Sequence, residues 1–155
     1  MIIQEDSRQK AEKHANKHEY FKTKEITIMR SKLPYGDYAL PPEVSVDTKQ
    51  NITEIAQNMC GSVKEKRRFR EECVLANSVG ARLIILVEDS RITEVGDLFG
   101  RSIGLANGQI VSGDQLARAM SVMHERYGVE FEFCKPENTG ERIVELLTEK
   151  KQNDV

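Results

Sequence analysis

The chain contains no tryptophan, and Phe, Tyr and Trp together make up only 6% of it. Its core must therefore be built from aliphatic side chains. No run approaches the roughly 18 apolar residues of a membrane span. The opening MIIQEDSRQK already carries charge at Glu5 and Asp6 and has no apolar leader segment, so neither a membrane protein nor a secreted one is expected. There are three cysteines, Cys60, Cys73 and Cys134. They are odd in number and widely spaced, with no C-x-x-C, which excludes a disulfide framework and points to buried thiols in a reducing, cytoplasmic compartment. Repeats, low-complexity tracts and Pro/Gly/Ser linkers are missing too. The expectation is one domain over 1–155, long enough to bury roughly 70% of its unfolded surface without staples.

What is present is charge, at 31% of residues, with a net of -2. The first 80 residues carry 14 Lys/Arg against 12 Asp/Glu, and the rest carry 9 against 13. The basic residues concentrate in Lys64, Lys66, Arg67, Arg68 and Arg70. Such a balance does not announce a nucleic-acid binder, but it leaves room for a local basic patch.

Periodicity gives an alternation of strands and helices. Ile2–Gln4 is β-compatible, and residues 8–20 permit a polar helix. Ile26 and Ile28 mark a strand at spacing two. Turn chemistry at 33–37 precedes an extended Tyr38–Leu40, and Pro41-Pro42 breaks the chain. Val44–Lys49 alternates, with Val44 and Val46 on one face and Ser45, Asp47 and Lys49 on the other. Asn51 and Glu54 form a helix-start signal for Ile52, Ile55, Ala56 and Met59, with Gly61 as the stop. In the next helix, over 63–79, Phe69, Cys73, Ala76 and Val79 make the inward stripe. Leu83–Val87 suits a strand buried on both faces. Residues 89–111 read as irregular, with a short strand over Ile103–Ala106. Ser112 and Gln115 cap a helix with Leu116, Ala119, Met120, Met123 and Tyr127 on one face. Val129–Phe133 is a strand, and a helix over 139–150 turns Ile143, Val144, Leu146 and Leu147 inward. This pattern predicts a three-layer α/β domain with a mixed sheet.

The chemistry concentrates in residues 36–49. Asp47 and Lys49 lie two apart on one strand and project from one face, and Asp37 follows a glycine at the start of an extended piece. Two carboxylates beside one lysine suit a Mg²⁺ or Mn²⁺ ion that keeps water and substrate phosphate as its other ligands. Such an ion polarises a phosphodiester, while Lys49 orients water or offsets charge on the phosphate. The plainer alternative is a solvated salt bridge. His14 and His18, four apart, read as solvated side chains on a polar helix, since no further ligands stand nearby.

Several segments together resemble a known family. They are Asp6-Ser7-Arg8, Leu33-Pro34-Tyr35-Gly36-Asp37-Tyr38-Ala39-Leu40, Val46-Asp47-Thr48-Lys49, Ile52-Thr53-Glu54-Ile55, Arg68-Phe69-Arg70 and Leu83–Glu88. Their order is similar to the XPF-type nuclease domain of the PD-(D/E)XK restriction-endonuclease-like superfamily. That domain shows a D-x-R-E start, a G-D-Y segment, an E-R-K strand end and a hydrophobic strand ending in Glu. The resemblance covers residues 2–89, and the tail over 112–150 resembles small single-domain phage and prophage versions. The departures are Asp47-Thr48-Lys49 for E-R-K, Gln9 where Glu often follows the Arg, and Glu54 in place of the helix Asp. No tandem helix-hairpin-helix module follows within these residues.

The resemblance implies a restriction-endonuclease-like fold and a metal-dependent DNA endonuclease, acting on branched or flapped DNA in the cytoplasm or at the nucleoid. Asp37, Asp47 and the main-chain carbonyl of Thr48 would hold Mg²⁺ or Mn²⁺. Lys49 would orient water. Asp6 and Arg8 would lie beside the metal or the phosphate, or else form a structural ion pair. Glu54 would order water, or serve only as a helix cap. Lys64, Arg67, Arg68 and Arg70 would grip DNA phosphates, or simply form a solvated helix face with Glu65, Glu71 and Glu72 as local partners. DNA is the expected partner, with a second copy or a partner subunit to help hold it. The alternative is a catalytically inactive module of the same fold that binds DNA or a partner nuclease.

Overall fold

The computed structural model describes residues 1–40 and 44–149, and the expected break at Pro41-Pro42 lies outside them. The strands are β1 (Ile2–Asp6), β2 (Thr27–Ser31), β3 (Tyr38–Leu40), β4 (Val44–Lys49), β5 (Arg82–Glu88), β6 (Ser102–Gly104), β7 (Ile110–Ser112) and β8 (Glu130–Cys134). The helices are α1 (Ala15–Thr23), α2 (Ile52–Cys60), α3 (Val63–Ser78), α4 (Gly113–Tyr127) and α5 (Thr139–Thr148). Among the described residues no helix is long and apolar enough to cross a membrane.

The apolar run in β5 organises the core. Side chains alternate across a strand, so Leu83, Ile85 and Val87 enter one hydrophobic cluster while Ile84 and Leu86 enter the other. The first cluster is completed by α2, α3 and α4, through Ile55, Met59, Phe69, Cys73, Leu116 and Met120. The second is completed by α1 and α5, through Phe21, Ile143, Leu146 and Leu147, against Ile3, Tyr38 and Val46 of the sheet. This gives the expected three layers, with aliphatic side chains filling both interiors.

The six-stranded sheet has the order β2-β1-β3-β4-β5-β8. β1 pairs parallel with β2, β4 with β5, and β5 with β8. β3 alone runs antiparallel to both its neighbours, β1 and β4. The C-terminal ends of five strands and the N-terminal end of β3 therefore share one rim. In open α/β sheets, ligands bind in the crevice outside the carboxyl ends of the strands.

Three expectations need correction. Residues 89–111 are not simply irregular. They hold a helical turn at Val95–Leu98 and the hairpin β6–β7, in which buried Ile103 faces buried Val111. Strands of three residues are too short to leave a periodic signal. Val79 lies beyond the end of α3 and is 61% exposed rather than inward. The polar helix starts at Ala15, because residues before it form a turn and a tight helical coil at Ala11–His14.

Gly113 opens α4 where the helix presses on the preceding loop. Its N–H donates to the Arg101 carbonyl at 2.8 Å, and a Cβ there would overlap the Leu98 carbonyl. Backbone cannot yield as a side chain tip does. Gly113→Ala is expected to cost about 2–3 kcal/mol, read in urea unfolding as a lower midpoint at unchanged slope.

Candidate active site

The rim of the sheet assembles the residues singled out in the sequence. The Asp6 N–H at the end of β1 donates to the Asp37 carbonyl at 2.7 Å, and the Asp37 N–H donates to the Val46 carbonyl at 2.8 Å. Three strands are thus tied together at the position of Asp37. The turn before it needs Gly36, which has φ +71° and lies where a Cβ would collide with the Ser45 side chain and sit 3.2 Å from the Val46 carbonyl. The Ser45 hydroxyl holds the turn, within 3.0 and 3.1 Å of the Tyr35 and Tyr38 carbonyls.

Asp37 is 3% exposed. One carboxylate oxygen accepts from the Thr48 N–H at 2.8 Å and the Thr48 hydroxyl at 2.7 Å, and the other accepts from the Gln9 side-chain amide. Asp47, 6% exposed, pairs with the Lys49 ammonium at 2.8 Å, yet its Oδ2 makes no well-aligned hydrogen bond. Asp6 accepts from the Arg8 guanidinium at 3.0 Å and from the Leu33 N–H at 3.2 Å, and Arg8 donates to the Leu33 carbonyl. Asp6 and Arg8 therefore clamp the loop that leads to Asp37. Glu54 accepts from the Gln50 N–H at 2.9 Å, and its own N–H donates to Asn51 at 2.9 Å, which is helix capping.

The sequence reading missed Glu72. It read as a local partner on the basic helix, but its side chain turns toward the rim and accepts from the Gly36 N–H at 2.9 Å. The available signal was position, since Glu72 lies between Phe69 and Ala76 of the inward stripe and beside buried Cys73. Lys64, Arg67, Arg68 and Arg70 are all exposed on α3, with Arg67 3.9 Å from Glu71. The His14 and His18 expectation is corrected: His14 is 3% exposed and His18 pairs with buried Glu5. His14, Lys17, His18 and Phe21 share a helical face, and Phe21 carries that face into the core.

The site is short of positive charge. Burial, and then the charge of Asp47, push the Asp37 carboxyl well above the ordinary range, against the hydrogen bonds from Thr48. The same two causes push Glu72 up to about 7. Burial favours a neutral Lys49, but Asp47, Glu72 and Asp37 outweigh it and raise the lysine above its usual value. Lys49 is thus a firm cation near neutrality. Among the described residues, no three Asp, Glu, His or Cys side chains converge as they stand on one chelating point. The donor set is nevertheless carboxylate oxygen, with three carboxyls to one ammonium, which is the chemistry a hard divalent cation requires.

The raised Glu72 carboxyl makes a pH prediction. A carboxyl whose folded value lies above its unfolded one binds more protons in the native state, so stability is lost as pH rises from about 4.5 toward 7. In metal-free buffer Glu72→Gln is expected to be more stable than the parent by about 2 kcal/mol at pH 8 and equal to it near pH 4. Thermal melts across that range check this, and a pH-independent difference would contradict it.

No family model matches the sequence, and no curated protein matches it significantly. Solved structures do. XPF from Aeropyrum pernix is similar at a TM-score of 0.65 and 18% identity, over 95% of this chain and 63% of that one. XPF from the same organism in complex with DNA is similar at 0.63 and 18%, over 94% and 62%. This chain spans less than two thirds of the length of those proteins. The likeness extends beyond residues 2–89 to nearly the whole chain, so the tail is part of the same architecture. The six-stranded mixed sheet with its two helical layers is the fold of the XPF nuclease.

Proposed function

We propose that this chain is a metal-dependent DNA endonuclease domain, with Asp37, Asp47, Glu72 and Lys49 as its chemical centre. The observation that carries the reading is that cluster: three buried or half-buried carboxylates around one ammonium, at the strand rim where such folds bind ligands. Asp37, Asp47 and the Thr48 carbonyl, with Glu72 alongside, would hold Mg²⁺ or Mn²⁺. When bound, the cation would activate water toward a phosphodiester. Thr48 and Gln9 fix the Asp37 carboxylate through its two oxygens. Lys49 stays protonated, so it serves as a donor that orients water or offsets phosphate charge, and not as a base. Asp6 and Arg8 hold the 33–37 loop that carries Asp37 and so act on its position.

DNA as the substrate class is supported by the exposed cations of α3, the helix that also carries Glu72, and by the DNA complex of one structural neighbour. Branched or flapped DNA, and a second copy or partner subunit, remain parts of the same proposal. One observation favours the non-cutting alternative: donors of its own chain occupy three of the roughly four acceptor positions of Asp37.

Labelled single-stranded, duplex, flap and junction DNA tested with Mn²⁺, Mg²⁺ or EDTA decides between them. Cutting is expected with metal only, and Asp47→Ala and Lys49→Ala should each lower it about 100-fold or more. Salt-sensitive binding with no cutting of any substrate would instead assign the fold to DNA binding. Replacing Lys64, Arg67 and Arg68 together by Ala should flatten the slope of log affinity against log salt by about 2–3, with the melting temperature unchanged. An unchanged slope would remove α3 from the DNA interface.

A further inference from the structure

One polar chain leaves the site through Gln9 and runs on to residues that the chemistry above does not use. The Gln9 amide donates to Asp37 Oδ1, the Gln9 side-chain carbonyl lies 3.2 Å from His14 Nε2, and His14 Nδ1 lies 2.9 Å from the Tyr38 hydroxyl. Its far end is rigid. Tyr38 is fully buried, and its ring meets His14 and Phe21 edge-on, with centroids 5.6 Å from each. Gln9 is also pinned by its backbone, whose N–H donates to the Asp6 carbonyl at 3.1 Å while its carbonyl accepts from Arg30.

With Asp37 ionised, as a metal ligand must be, the protons of the chain line up in one direction when the Tyr38 hydroxyl donates to His14 and not to the Glu5 carboxylate, which also faces it. A carboxylate has none to give, so Gln9 turns its NH₂ toward Asp37 and its carbonyl toward His14. His14 then carries its proton on Nε2, and Nδ1 accepts from Tyr38. The ring has one proton to place, because burial and then the Lys17 ammonium lower His14 to about 4. Every donor in the chain points toward the site. An ionised carboxylate has about four acceptor positions. Thr48 fills two on Oδ2 and Gln9 fills one on Oδ1, which leaves a single position on Oδ1.

We propose that Gln9, oriented by His14 and Tyr38, is a positioning residue that restricts Asp37 to a single coordination position for the cation. The proposal rests on the nuclease reading and adds to it His14 and Tyr38, which never touch substrate. Its consequence is that metal affinity is set partly from the α1 side of the sheet, where Tyr38 and His14 are packed.

The test is a titration of the Mn²⁺-induced rise in melting temperature for the parent chain, Gln9→Ala, Tyr38→Phe and the double variant. Tyr38→Phe keeps the ring packing and removes only the hydroxyl, and each variant's metal-free melting temperature serves as its own baseline. Loss of such an outer hydrogen bond typically costs about 10–100-fold in metal affinity. Gln9→Ala should therefore raise the half-saturating Mn²⁺ concentration about 10-fold and Tyr38→Phe several-fold, and the double variant should equal Gln9→Ala because the two act in series. The KM for DNA should stay at the parent value. Nitrogen NMR of the Mg²⁺-bound protein should find the His14 proton on Nε2. A parent-like Mn²⁺ midpoint in Gln9→Ala, additive effects in the double variant, or a His14 proton on Nδ1 would each overturn the proposal while leaving the nuclease reading intact. No Mn²⁺ response in the parent chain would remove that reading and the proposal with it.

Discussion

One reversed strand sets the geometry of the rim. β3 runs against β1 and β4, so its first residue, Tyr38, faces Glu5 near the end of β1 on one side and Val46 in β4 on the other. That is why the Asp37 backbone bonds to Asp6 on one side and to Val46 on the other. The reversal needs a tight turn, and Gly36 supplies it with a backbone conformation that a side chain would strain. The cost is repaid in part by the Ser45 hydroxyl and by Glu72, which accepts from the Gly36 N–H. Turn and site are therefore one structure, and a disturbance of either reaches the other.

Two buried polar clusters flank this point, and their charge balance differs. On the α1 side, fully buried Glu5 meets both His18 and Arg30, and Lys17 meets Glu88 at 2.6 Å with both partners under 10% exposed. Buried charges survive when paired in this way. At the rim, Asp37, Asp47 and Glu72 share little beyond Lys49, and two of the three carboxyls are driven toward their protonated forms. A fold that sets a basic side chain against each buried carboxylate of one cluster, and leaves one ammonium among three carboxyls in its neighbour, is not short of cations. The imbalance is local, and perturbed carboxyls of this kind gather where a protein does chemistry.

Much of the fold was legible because its signals are local. Asn51 and Ser112 cap the helices that follow them, Gly61 ends α2, and Leu83–Val87 is buried on both faces. Asp37, Asp47 and Lys49 were legible as a group because strand alternation and the motif order place them together. Glu72 and His14 were not, since each reads as one more charge or ring on a polar helix. Their burial follows from which face of the helix meets the sheet, a tertiary fact that periodicity states only weakly when few apolar residues mark that face. In α1 and the turn that leads into it the inward face is His14, Lys17, His18 and Phe21, three polar residues to one apolar. A pattern of hydrophobicity cannot find a face buried through hydrogen bonds.

The departures at the rim fit together in the same physical terms. Where the resembling family has Glu at the strand end, this chain has Asp47, one methylene shorter and held by Lys49 from two residues on. Where that family has Arg between them, Thr48 gives Asp37 two donors that a guanidinium would supply differently. Glu72 reaches the rim from α3 with the longer acidic side chain. The carboxylate chemistry is thus spread over strand and helix rather than concentrated on one strand. Motif order survives such exchanges because the backbone ties among β1, β3 and β4 do not depend on side-chain length. Overall identity does not survive them, because a core needs volume and pattern more than particular residues. At 18% identity the architecture is carried by those backbone ties and by the two-faced burial of β5, and the proposed chemistry would rest on a handful of side chains that the rim holds in place.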